Sequence, residues 1–194
     1  MKDVNARSAV YLDNILKAVE TMKKDFPAKA EDIVSALVKA RNTGKRVYIC
    51  GNGGSASTAS HMASDLNKGA NRKDAPRFKA IALTDNIPAM LAWANDSSYD
   101  DIFVEQLRNH LEKDDIVIGI SGSGNSANVL KAIDYANSNG ALTIGLAGIG
   151  GGKLAKAAGI AYIVPNNVMQ QVEDLHLLIE HMLSMILRDS PDCA

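Results

Sequence analysis

His61 and Asp65 stand four residues apart, and on a helix that spacing puts an imidazole and a carboxylate on one face. Such a pair is equipped to move a proton or to hold a metal ion. The stretch that carries it, RVYICGNGGSASTASHMASDL at 46–66, reads as strand, turn and helix in succession. Val47-Tyr48-Ile49-Cys50 is a short apolar run rich in β-favouring residues, the pattern of a buried strand. Gly51-Asn52-Gly53-Gly54 permits a tight turn and close backbone approach. Ser55 is expected to cap the following helix, whose first N–H groups lack partners and suit an anion. An anion-binding turn leading to a polar pair has the makings of an active-site edge.

A second loop repeats the theme with more hydroxyls. Asp115 to Ile120 is an apolar strand running into Ser121-Gly122-Ser123-Gly124-Asn125-Ser126 and then a helix. Ser121, Ser123 and Ser126, with the N–H groups of a helix start, can wrap a phosphate by hydrogen bonding alone. Neither loop contains Lys or Arg, which favours one phosphate over a triphosphate. Both loops match the degenerate dinucleotide fingerprint, but no acidic residue follows at the distance needed to hold a ribose. A nucleotide P-loop is excluded, because no G-K-[ST] is present.

Five apolar runs alternate with helical patterns, at about 47–50, 78–83, 115–120, 141–146 and 160–164. That alternation predicts a five-stranded parallel sheet in a doubly wound, three-layer αβα sandwich. Two helices are expected before it, at about 5–24 and 29–43, separated by Pro27. The last helix, about 168–187, is apolar on more than one face, with Leu175, Leu178, Ile179, Met182, Leu183 and Ile186 on the broadest. These terminal helices exceed what five strands need for cover, so oligomerisation is their expected use. The 194 residues fit one domain, with 1–44 as an N-terminal helical extension.

A formal net charge of −1 argues against a nucleic-acid-binding surface. The start, MKDVNARSAV, has no apolar core of a secretion signal, and no uncharged run reaches membrane-spanning length. Cys50 and Cys193 read as two free thiols in a reducing compartment. Cytoplasmic residence, with neither membrane nor nucleic acid as a partner, is the expectation.

Residues 46–66, 79–96 and 115–130 resemble the sugar isomerase (SIS) domain family, and within it the sedoheptulose-7-phosphate, or phosphoheptose, isomerases. CGNGGSA, AND and GISGSGNSANV are the most specific segments, and the similarity extends from Lys45 to Leu187. The resemblance implies that Ser55, Ser121, Ser123 and Ser126 bind the sugar phosphate together with Gly53 and Gly122. It places Asn52 and Asp96 near the sugar hydroxyls. It puts His61, Asp65, Glu173 and His181 at positions for zinc or another divalent metal, with Glu173 also facing substrate. Asp65 and His181 fall at the catalytic acid–base positions. On spacing alone His176, three after Glu173, is as good a partner as His181. The chain departs from the family pattern at Asp65, where Glu is usual, at Glu173, where Gln is usual, and at Gln171, where Arg is usual. The resemblance further implies a homotetramer with active sites built between subunits.

The resulting expectation is an aldose–ketose isomerase acting on sedoheptulose 7-phosphate through an enediol. The alternative is a non-catalytic SIS-domain phosphosugar sensor, or an adaptor of the kind that binds a bacterial replication initiator.

Overall fold

β1 (Arg46–Gly51) and β3 (Ile116–Ser121) are apolar on both faces, so they can be satisfied only inside a sheet covered on both sides. The computed structural model, which describes residues 2–189, places them side by side at the centre. Cys193 lies outside the described residues. β2 (Lys79–Ala82) flanks β1, while β4 (Leu142–Ala147) and β5 (Ile160–Ile163) follow β3. The five strands are all parallel in the order β2-β1-β3-β4-β5. The strand count, the parallel sheet and the three layers are as the alternation predicts.

Alternation along β1 sorts side chains between two cores. Val47 and Ile49 face α1 (Lys2–Asn42), α2 (Gly54–Ser64) and α7 (Met169–Asp189), packing with Phe26, Leu37, Met62 and Ile179. Tyr48 and Cys50 face the other side, with Phe103, Leu107, Val129 and Ile133. That layer is built by α4 (Val104–His110), α5 (Ala127–Ser138) and the short α6 (Leu154–Ala157). α3 (Ile87–Asp96) follows β2 and has no buried residue. Among the described residues no helix is long and apolar enough to cross a membrane.

Two helices were expected before β1, and there is one, with Pro27 inside it. Ala18, Met22, Phe26, Ala30, Ile33 and Leu37 form one buried stripe running past the proline on both sides. Pro27 itself is exposed, so water can take the Lys23 carbonyl that has lost its helical partner. Continuous burial thus outweighs a proline cost of about 3 kcal/mol. Tyr11 bonds Asp174, and Tyr162 donates to Asp25 at 2.8 Å, fastening α1 to α7 and β5.

Candidate functional site

In a sheet ordered 2-1-3-4-5 the connections leave β1 and β3 toward opposite faces. Their carboxyl ends therefore border a crevice, the usual ligand position of open α/β sheets. The β1–α2 and β3–α5 loops meet there. Ser121 ends β3, buried, with its Oγ 3.0 Å from Ser126 Oγ. Ser126 stands at the N-cap of α5 but makes no side-chain cap bond, so its hydroxyl is turned to Ser121 and not to the helix. Ser123 Oγ accepts from the Asn125 N–H at 3.2 Å. Gly124, at φ +65°, must be glycine twice over, because a Cβ there would also run into the Gly151 carbonyl. The 148–152 loop is seated on this turn: Gly148 N donates to Gly122 O at 3.1 Å and Leu154 N to Gly124 O at 2.9 Å.

Across the crevice Asn52 and Asn128 exchange both amide bonds, at 2.8 and 2.9 Å. Tyr99 OH donates to Asn52 Oδ1 at 3.0 Å. Asn128 and Tyr99 escaped the sequence reading. Asn128 lies in the SGNSAN segment, at the start of α5, and that position was the usable signal, whereas Tyr99 gave none, being 47 residues from its partner. Asp96 stays at the exposed end of α3, its carboxylate accepting from Asn95 at 2.7 Å. Ser55 does not cap α2. Gly53, at φ +55°, takes that position, and its carbonyl accepts from Ala56 at 3.0 Å and Ser57 at 3.2 Å. Ser55 is buried inside the first turn.

Further along α2, His61 meets His181 of α7, with Nε2 atoms 3.3 Å apart and rings edge to face at 80°. Asp65 Oδ1 is 4.0 Å from His61 Nε2, and Glu180 Oε2 is 3.5 Å from His181 Nε2. Donor atoms of His61, Asp65, Glu180 and His181 all lie within 4.8 Å of one another. Asp65 begins a π turn, Asp65–Gly69, that widens the end of α2 and was invisible to periodicity. Asn67 in that turn is tied to β2: its amide donates to Ala80 O at 2.8 Å and accepts from Ala80 N at 3.0 Å.

The resemblance put Glu173 in this group, and the structure puts Glu180 there. Within one chain Glu173 and His181 are eight residues apart on a continuous helix, about 12 Å of rise, and their side chains do not converge. The Glu173 carboxylate lies instead against Gly54, where a Cβ would collide with it. Of the two histidines left open by spacing, His181 joins His61, while His176 is buried and its imidazole is pushed down to about 4, chiefly by desolvation.

Glu180 is wholly enclosed, with side-chain exposure of 0%. Burial, and then the neighbouring Asp65 carboxylate, push its carboxyl up to about 7. Among the described residues neither of its oxygens has a hydrogen-bond partner. A buried carboxylate without a well-placed hydrogen-bond donor, crowded by a second carboxylate and flanked by two imidazoles, is a donor set in want of a cation. The residues present fit a divalent metal ion.

Residues 10–148 match the family described as the SIS domain. Among known proteins, the chain is 39% identical to a phosphoheptose isomerase of Rhodospirillum rubrum, over 84% of this chain and 85% of that one. It is 37% identical to a phosphoheptose isomerase of Aliarcobacter butzleri, over 91% of each. The structure of the phosphoheptose isomerase GmhA from Neisseria gonorrhoeae superposes with a TM-score of 0.88 at 27% identity, covering 95% of this chain and 98% of that one. The chain therefore belongs to the SIS domain family and, within it, to the phosphoheptose isomerases.

Proposed function

We propose that this protein interconverts sedoheptulose 7-phosphate and D-glycero-D-manno-heptose 7-phosphate by proton transfer between C1 and C2. The observation that carries the reading is the way α7 spans two kinds of chemistry. Its first turn covers the serine loop, Met169 lying where a Cβ of Gly122 would be. About three turns on, His181 and Glu180 meet His61 and Asp65. A heptulose 7-phosphate likewise carries its phosphate and its carbonyl at opposite ends of the carbon chain.

Ser55, Ser121, Ser123 and Ser126, with the backbone at Gly53 and Gly122, bind the phosphate by hydrogen bonds. Asn52, held by Asn128 and Tyr99, orients the sugar hydroxyls together with Asp96 and Glu173. In the ketose-to-aldose direction the C1–H bond breaks and its proton goes to the Asp65 carboxylate. The freed electron pair forms the C1–C2 double bond of the enediol, and the carbonyl pair moves to O2, which takes a proton from His181. In the second half O1 returns a proton to His181, its pair forms the aldehyde, and C2 takes the proton held by Asp65. His61, Glu180 and His181, with Asp65 beside them, would hold zinc or another divalent ion, whose chemistry when bound would be to polarise the carbonyl oxygens. Nε2 of His181 carries either a proton or an ion; with an ion bound His181 would orient, and the ion's charge would stand in for the proton at O2.

The same reading makes the protein a cytoplasmic homotetramer with sites between subunits, residues 1–44 serving assembly. What supports it is a groove of about 780 Å³ between α1 and α7, lined by Val19, Met22, Phe26, Val34, Leu178 and Met182. A tetramer by light scattering is the expected result, and a stable monomer at micromolar concentration would remove this part. For the reaction, NMR of sedoheptulose 7-phosphate in D2O should show the aldose with deuterium at C2. Binding without exchange or turnover would make the protein a phosphosugar sensor.

A further inference from the structure

We infer that Glu180 is the dedicated anionic donor of the metal centre, and that Asp65 beside it is thereby left free to carry the substrate proton. The second half rests on the isomerase reading, and the first does not. The two carboxylates of the cluster differ in what they can reach. Glu180 has no solvent-accessible side chain and both of its oxygens lack hydrogen-bond partners, so it cannot meet a substrate. Asp65 remains 29% exposed, on a turn that opens from the end of α2.

The imidazoles frame the same division. His61 and His181 bring their Nε2 atoms to 3.3 Å, and Glu180 Oε2 sits 3.5 Å from the second of them. Two imidazole nitrogens and one enclosed carboxylate are three protein donors, the complement of a metal site that keeps a position open for substrate. Asp65 Oδ1 stands farther off, 4.0 Å from His61 Nε2. Asp is also one methylene shorter than the Glu of the family pattern at this position. Its withdrawal from the ion is offset by a carboxylate arriving from α7, the opposite wall.

The test uses the full chain as wild type and as Glu180→Gln, Asp65→Asn and Glu173→Gln, each stripped with a chelator. Each is then titrated with zinc against a chromophoric competitor. Glu180→Gln should weaken zinc by more than about 100-fold, beyond the range typical of outer-shell partners. Asp65→Asn and Glu173→Gln should stay within about 10-fold of wild type, and Asp65→Asn should lose isomerase turnover while holding its zinc. Zinc retained by Glu180→Gln, or lost equally from Asp65→Asn, overturns the inference. Loss confined to Glu173→Gln overturns it in favour of the set implied by sequence resemblance. Glu180→Leu guards against misfolding. Removing a buried carboxyl crowded against Asp65 should raise the melting temperature of the metal-free protein and abolish the upward shift that zinc gives wild type. A lower metal-free melting temperature with the zinc shift intact overturns the assignment. A wild type that binds zinc through Glu180 but turns over no heptulose phosphate supports the donor role, and overturns the isomerase reading together with the proton role.

Discussion

The serine loop at the carboxyl edge of the sheet and the carboxylate–imidazole cluster further along α2 and α7 are built in opposite ways. The loop is six consecutive residues, neutral, braced by backbone bonds to the 148–152 segment. The cluster is assembled from two helices whose histidines are 120 residues apart, and it is charged, buried on one side and open on the other. A neutral loop can grip a phosphate in any protonation state of its surroundings. A charged cluster can change its proton count, and that is what chemistry at C1 and C2 requires. Binding and reaction should therefore be separable by mutation.

The largest effect is expected at Asp65. Asp65→Asn should lower kcat by up to about 10⁴-fold, the upper range for a general base, with sugar-phosphate affinity unchanged by calorimetry. Comparable loss of binding would mean that the two regions are not independent.

Ser121→Ala with Ser123→Ala is the mirror experiment. Two bonds to a charged phosphate are worth about 3 kcal/mol or more together, so KM should rise steeply while kcat at saturation changes little. A fall in kcat alone would place the phosphate elsewhere.

His176 lies on α7 between the two regions, and its signature is acid stability. Its folded-state pKa of about 4 is below the unfolded 6.5, mainly because burial disfavours the cation. The unfolded chain therefore binds the proton first, and stability falls as pH drops from 6.5 to 4 and levels off below that. The loss is at most about 3 kcal/mol. The Glu180 carboxyl, raised to about 7, gives an opposite slope in both proteins, so urea denaturation across that window should show wild type losing more stability than His176→Gln as pH falls.

The smallest effect should come from Gly54→Ala, where the added Cβ meets the Glu173 carboxylate. Overpacking of this kind costs about 1–2 kcal/mol, and Glu173→Ala in the same chain should restore most of it by thermal melting. No rescue would mean that the cost lies in the backbone turn.

How much of this was legible follows from the same contrast. The serine loop could be read because all its groups are local. His61 and Asp65 could be read because one helical turn fixes their separation. Glu180 could not. Glu173 and Glu180 are seven residues apart, so they share a face of α7 and differ only in depth along its axis. Periodicity reports a face and is blind to depth, and depth is set by how α7 slides against α2. Pro27 misled for a related reason, since a local rule was overruled by a buried stripe of side chains on both sides of it. Ser55 misled because Gly53 tolerates the positive-φ turn that starts the helix two residues early.

The tie between Asn67 and Ala80 reaches beyond the placing of Asp65. β2 is the outermost strand on its side of the sheet. Leu83 N donates inward to Ile49 O, so by the two-residue alternation of a strand the main-chain groups of Ala80 and Ala82 point outward. Such groups are a template on which another chain can add a strand. Here the Asn67 amide occupies both groups of Ala80, and the Asp85 N–H takes the Ala82 carbonyl at 3.2 Å. The turn that carries Asp65 thus also blocks strand addition at the β2 edge. In an assembly through α1 and α7, as proposed above, this edge of the sheet would offer no competing contact.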